Sequence, residues 1–139
     1  MTKVKEMMTL HPQMIDPGKT LRQAARKMRK HECGALIVGR DIPKGIITDR
    51  DIVIFGLAAE HDPDITMVGD IMTADLVCCC EDDTIEEAAE TMGDLDLRRL
   101  VVLDAKGAAV GILSVSDIIK QVDRDAVNDE VIHHLFKYA

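Results

Sequence analysis

The chain has 139 residues and a formal net charge of −8, from 17 Lys plus Arg against 25 Asp plus Glu. Hydrophobic residues make up 47%, yet the only aromatics are Phe55, Phe136 and Tyr138, and Trp is absent. This length suffices for one globular domain or two small units sharing a core. The apolar content excludes a disordered chain, and an acidic, aromatic-poor composition excludes a broad nucleic-acid surface, which needs clustered cations and stacking platforms.

From the N-terminus, Met1-Thr2-Lys3-Val4-Lys5-Glu6 leads into no apolar stretch, so no signal peptide is expected. No apolar run reaches the length of a membrane span, and the expected location is cytoplasmic. Val4-Lys5-Glu6-Met7-Met8-Thr9 returns as Val68-Gly69-Asp70-Ile71-Met72-Thr73, at an offset of 64. An extended segment is expected over residues 13–15, and its counterpart over 76–80. A helix follows in each copy, opened by Thr20-x-x-Gln23 or Thr84-x-x-Glu87, a capping-box pattern in which Thr accepts a backbone N–H. Its apolar face carries Leu21, Ala24, Ala25 and Met28, repeated as Ile85, Ala88, Ala89 and Met92.

Two short aliphatic strands come next, Leu36-Ile37-Val38 matching Leu100-Val101-Val102. Polar turns (residues 40–44 and 104–107) lead into Gly45-Ile46-Ile47-Thr48 and Gly111-Ile112-Leu113-Ser114, now at an offset of 66. A second helix is expected near Asp51 and Asp117. The unit is therefore β-α-β-β-α, written twice. Such a unit has too little core to stand alone, so the copies are expected to pack about a pseudo-two-fold axis. The domains expected are 1–62, with the N-terminal segment and the start of a connector, 63–122, and a C-terminal helix over 123–139 carrying Val127, Val131 and Leu135.

The sharpest motif is Gly45-Ile46-Ile47-Thr48-Asp49-Arg50-Asp51, echoed by Gly111-Ile112-Leu113-Ser114-Val115-Ser116-Asp117. A duplicated β-α-β-β-α unit with this motif resembles a tandem pair of CBS domains, a Bateman module. Thr48 to Val53, with Gly56-Leu57-Ala58 and Asp62-Pro63, is especially similar to small stand-alone bacterial CBS-pair proteins. The resemblance covers essentially the whole chain. It implies a non-catalytic regulatory module, a homodimer, with a cleft between repeats for AMP, ADP, ATP, NAD or S-adenosylmethionine. No cofactor is required, and no membrane or nucleic-acid partner is implied.

By that resemblance, Asp51 and Asp117 would take ribose hydroxyls, and Thr48 and Ser114 would take phosphate. The chemistry is sound in itself, because a carboxylate accepts from two vicinal hydroxyls while a hydroxyl beside free N–H donors suits an anion. Thr48-x-x-Asp51 and Ser114-x-x-Asp117 equally have the form of helix N-caps, and the two roles are compatible. The family pattern would also send Arg98, with Arg99 as second choice, across the axis to the Thr48/Asp51 site. Gly34-Ala35 hold the matching positions in repeat 1. The alternative for Arg98 and Arg99 is an ion pair with Asp94 or Asp96. The base would lie against Gln13, Met14 and Ile15 in one site and Val77, Cys78 and Cys79 in the other, read by backbone groups.

Cys33 and the run Cys78-Cys79-Cys80 form neither a disulfide framework nor a C-x-x-C zinc pattern and read as small hydrophobes, with a redox or soft-metal role as the alternative. His133 and His134 are adjacent and cannot share a helix face as zinc ligands do. No nucleophile–base pairing is visible. The first helix is basic (Arg22, Arg26, Lys27, Arg29, Lys30) and its counterpart acidic (Glu86, Glu87, Glu90), which would favour head-to-tail pairing of chains. The rival to a ligand sensor is a ligand-free scaffold, or a regulatory partner of a separate enzyme or effector protein.

Overall fold

The computed structural model describes residues 2–10, 12–40 and 42–122, so the expected C-terminal helix lies outside the described residues. A 3-10 turn, Val4–Glu6, precedes strands β1 (Thr9–Leu10) and β2 (Met14–Ile15). Helix α1 (Leu21–His31), strands β3 (Ala35–Gly39) and β4 (Pro43–Thr48), and the helical turn α2 (Asp49–Asp51) follow. That turn runs directly into a π-helical stretch, Ile52–Leu57. After α3 (Val68–Ile71) come β5 (Cys78–Cys80), α4 (Ile85–Leu95), β6 (Arg99–Leu103), β7 (Ala109–Ser114) and α5 (Val115–Val122). The duplicated β-α-β-β-α order read from the sequence is the one observed.

Residues Pro12–Leu76 form one compact unit. Its sheet has the order β2-β3-β4, with β2 parallel to β3 and β3 antiparallel to β4. Thr20 caps α1 reciprocally: its hydroxyl accepts from Gln23 N at 3.2 Å, and Gln23 Oε1 accepts from Thr20 N at 2.9 Å. The helix buries Leu21, Ala24 and Met28 against Ile15, Leu36, Val38, Ile47 and Val68. Every residue of β3 is buried, as a central strand covered by a helix must be.

The second unit joins residues 1–11 to the chain from Val77 onward. Its sheet runs β1-β7-β6-β5. Here α4 and α5 close over one core of Ile85, Ala88, Ala89, Met92, Leu100, Leu113 and Ile118. Ala89 is buried as its spacing predicts, whereas the equivalent Ala25 is exposed. The physical reason lies in the helix after the motif: Ile118 is fully buried, but its counterpart Ile52 is only half-buried where the backbone turns π-helical.

The compact units and the sequence repeats are different partitions, because each leading segment packs on the other copy's body. In the unit that contains it, Val4 N donates to Asp83 O (2.8 Å), Lys5 N to Glu81 O (3.0 Å), and Ile85 N to Thr2 O (3.0 Å). Sixty-four positions along, Val68 N donates to Lys19 O (2.8 Å) and Gly69 N to Pro17 O (2.9 Å), while Leu21 N donates to Thr66 O (3.0 Å). Strand β1 then lies antiparallel to β7, with Leu10 opposite Gly111, and within the 12–76 unit Thr73 bridges Ile46. Residues 63–76 thus belong with the first repeat's body, and residues 1–11 with the second's.

This crossing explains the glycine that opens each motif. A Cβ on Gly45 would stand 2.7 Å from Thr73 O and 2.9 Å from Met72 Sδ; one on Gly111 would meet Met8 Sδ at 2.6 Å and Thr9 O at 2.9 Å. Only glycine lets the leading segment lie so close.

Candidate functional site

Thr48 ends β4 and caps α2. Its hydroxyl accepts from Asp51 N at 3.1 Å, and Asp51 Oδ2 accepts from Thr48 N at 2.9 Å. Ser114 and Asp117 repeat this box at 3.1 and 3.0 Å. Capping is therefore real at both positions. It also leaves one carboxylate oxygen, Oδ1, on each aspartate without a hydrogen bond among the described residues, on side chains that are half-buried. A part-desolvated acceptor held rigidly by its twin is prepared to bind hydroxyl donors.

The residues around the two motifs differ. Asp49 N donates to Gly34 O (3.0 Å) as Val115 N donates to Arg98 O (2.9 Å). Across the strand ladder Ala35 faces Thr48, whereas Arg99 faces Ser114. Arg98 is exposed and Arg99 half-buried, and among the described residues neither is in an ion pair. Both arginines lie in the unit that holds Ser114, so within that unit it is Ser114 that has a guanidinium-bearing register neighbour.

The first extended segments are edge strands. Gln13 O accepts from Ile37 N at 3.0 Å, at the end of the sheet nearest Thr48. Met14 and Ile15 step away from it, Ile15 into the core, and Met14 O accepts from Lys27 Nζ. Val77 O accepts from Val101 N at 3.4 Å, Cys78 is half-buried, and Cys79 lies in the core. Burial pushes the Cys79 thiol up to about 12 and raises Cys78 as well, so neither is an activated nucleophile. Among the described residues no cluster of His, Cys, Asp or Glu could hold a metal ion.

The sequence did not point to an apolar recess of about 460 Å³ beside the first motif. Ala25, Met28, Cys33, Gly34, Ile52 and Val53 line it, and its rim includes Asp49. The recess exists where the π-helical stretch leaves Ala25 and Ile52 uncovered. A π segment inside a helix commonly marks such a site. The one advance signal was Gly34 standing where repeat 2 has Arg98: a Cβ on Gly34 would press on Asp49 Oδ2 at 3.1 Å.

The family model for the CBS domain matches the chain twice, at residues 4–57 and 68–124. The chain belongs to the CBS-domain family. The CBS domain-containing protein YhcV of Bacillus subtilis is 33% identical over 119 residues, covering 85% of this chain and 84% of that protein. Hypoxic response protein 1 of Mycobacterium tuberculosis is 32% identical over 129 residues, covering 91% and 90%. An uncharacterized protein of Methanopyrus kandleri is 36% identical over 106 residues, covering 75% of this chain and 54% of its own length. The solved CBS domain pair of protein MJ0100, in complex with 5′-methylthioadenosine and S-adenosyl-L-methionine, superposes with a TM-score of 0.79 at 25% identity, covering 87% of this chain and 99% of that one. Stand-alone CBS pairs are in general non-catalytic regulatory modules. Among the described residues no helix is long and apolar enough to cross a membrane.

Proposed function

We propose that this CBS pair senses an adenosyl ligand at the Thr48/Asp51 motif and reports it through a change of conformation or association. The observation that carries the reading is Asp51: one oxygen is spent on Thr48 N, and the other is left to accept from the vicinal hydroxyls of a ribose. The neighbouring recess supports it, since an aromatic-poor chain must hold a base between aliphatic and Met side chains, here Met28 and Ile52. The complex of MJ0100 with two adenosyl compounds is consistent with that ligand class. AMP, ADP, ATP, NAD and S-adenosylmethionine are the candidates, with Arg98 assigned to phosphate and Arg99 as its second. Ser114 and Asp117 are the equivalent candidates in the second repeat.

A thermal-shift and calorimetric series over these ligands and adenosine tests the reading, because a bound ligand raises apparent stability by mass action. Asp51→Asn keeps a carbonyl oxygen to cap Thr48 N but removes an acceptor, so it should abolish the shift without loss of fold. Arg98→Ala should weaken phosphorylated ligands and spare adenosine. A ligand-free assembly module, acting on a separate enzyme or effector protein, is the second reading. It is favoured by the exposed side chains Val53, Phe55 and Leu57 along the π-helical stretch, an apolar surface suited to a homodimer or another partner. Failure of every adenosyl ligand to bind at about 1 mM, a threshold of about 4.1 kcal/mol, would hand the function to that reading.

A further inference from the structure

At the end of the β2-β3-β4 sheet away from Thr48, a cavity of about 450 Å³ opens between β2, the first turns of α1 and the β3–β4 connection. Met14, Ile15, Asp16, Lys19, Lys27 and Arg40 line it. A second recess of about 410 Å³ shares Asp16 and Arg40 with it and adds Lys44. Among the described residues the two recesses are lined by Lys19, Lys27, Arg40 and Lys44 and by one carboxylate, which is already occupied: Asp16 Oδ1 accepts from Gly18 N at 2.8 Å and Oδ2 from Arg40 Nε at 2.5 Å. The backbone amide and the Arg40 guanidinium hold the Asp16 carboxyl below the usual range, so it stays ionised and paired. Lys27 spends one donor on Met14 O, while Lys19 and Lys44 are in no ion pair among the described residues.

The duplicated copy is an internal control. Positions 83, 91 and 104, which repeat Lys19, Lys27 and Arg40, carry Asp, Thr and Asp. The shared fold thus does not need cations there, and the chain as a whole is acidic. Lysines lining two adjoining recesses, in excess over the carboxylate among the described residues there, raise the local potential and favour an anion. The recesses are open and of small-molecule size, whereas an extended polyanion needs a stripe of cations and stacking side chains.

We propose that these adjoining recesses form a further ligand site, distinct from the Thr48/Asp51 and Ser114/Asp117 motifs, for a small phosphorylated anion. A phosphate group brings close to two negative charges and several acceptor oxygens, matching the ammonium donors of Lys19 and Lys44 with the apolar wall of Met14 and Ile15 for the remainder of the molecule. The proposal does not depend on adenosyl binding elsewhere, and its test separates the two. Inorganic pyrophosphate is titrated into the full chain at low ionic strength, followed by calorimetry and ³¹P NMR. Saturable binding is expected, weakened about tenfold or more by the double variant Lys19→Ala/Lys44→Ala and unchanged by Arg98→Ala, which removes the phosphate contact assigned to the motif site. Raising sodium chloride to about 0.5 M should weaken it too. No saturation by about 10 mM would overturn the proposal, as would a double variant that binds pyrophosphate normally, with or without a loss in Arg98→Ala. A double variant that binds pyrophosphate normally but no longer self-associates in sedimentation would make the patch a dock for an acidic surface of a second copy, and would equally overturn it.

Discussion

The two copies of the unit share one hydrogen-bonding frame and differ in the helix that follows the motif and in its packing. Their Thr48/Asp51 and Ser114/Asp117 boxes, their strand registers and the hydrogen bonds that anchor the segment leading into each repeat correspond. Yet the helix after the first motif is π-helical with Ile52 half-buried, and the helix after the second is α-helical with Ile118 fully buried. The second copy has thus closed its core at this place, while the first has left a recess. The closed copy gains packing here, and the open one keeps an apolar recess exposed to solvent.

The largest effect that could break this comparison comes from truncating the paired isoleucines. Ile118→Ala should cost about 3 kcal/mol, as expected for emptying a fully packed site. Ile52→Ala should cost about 1 kcal/mol, because that side chain is half in water already. Denaturant unfolding of the two variants checks this. Equal losses would mean that the first copy is closed in solution and the recess is not a site.

Next in size are the motif glycines. Gly45→Val and Gly111→Val should each destabilise by about 2 kcal/mol, since the new side chain meets a backbone carbonyl that cannot retreat without breaking strand pairing. Amide exchange should show which amides are freed: the Thr73–Ile46 pair in one variant and the β1–β7 ladder in the other. Loss of protection at both places from either substitution would mean the two leading segments do not act separately.

What the sequence made legible follows the range of the interaction. Thr20-x-x-Gln23 and Thr48-x-x-Asp51 are local patterns, and both are caps in the structure. The apolar period of α1 and α4 gave the buried faces apart from Ala25. The exchange of leading segments was not legible, because it depends on pairings such as Leu10 with Gly111 that join distant parts of the chain, and a glycine before an aliphatic pair reads locally as a turn. The π-helical stretch was equally hidden: Ile52 to Leu57 are mostly weak helix formers but specify no particular alternative, and Gly56 is buried with its missing Cβ 2.8 Å from Leu21 Cδ1. The motif was therefore readable in advance, and the recess beside it was not.

The caps offer a smaller test. Thr20 and Thr84 both accept from the amide three residues on, but only Gln23 returns the bond to its cap residue. Thr20→Ala and Thr84→Ala should each cost about 1 kcal/mol in denaturant unfolding. Gln23→Ala should add a few tenths of a kcal/mol beyond its propensity, and Glu87→Ala should not.

The smallest effect concerns surface charge. The Asp64 carboxyl is held below its ordinary range by the Arg22 guanidinium, Asp16 by the Gly18 amide and then Arg40, and Asp82 by Lys5. For a carboxylate whose folded value is depressed, the stabilisation is complete above its ordinary value of 3.8 and is lost as the pH falls through the folded value. Two of these pairs lie in the unit of residues 12–76 and one in the other, so acid should loosen the former first. All are exposed and weak, and added salt should shrink them further. In amide exchange between about pH 4 and pH 2, Asp64→Asn and Asp16→Asn should flatten the acid response of α1 and β3, and Asp82→Asn that of the Val4–Glu6 turn. A response unchanged by all three substitutions would mean that these surface pairs do not set the acid sensitivity of either unit.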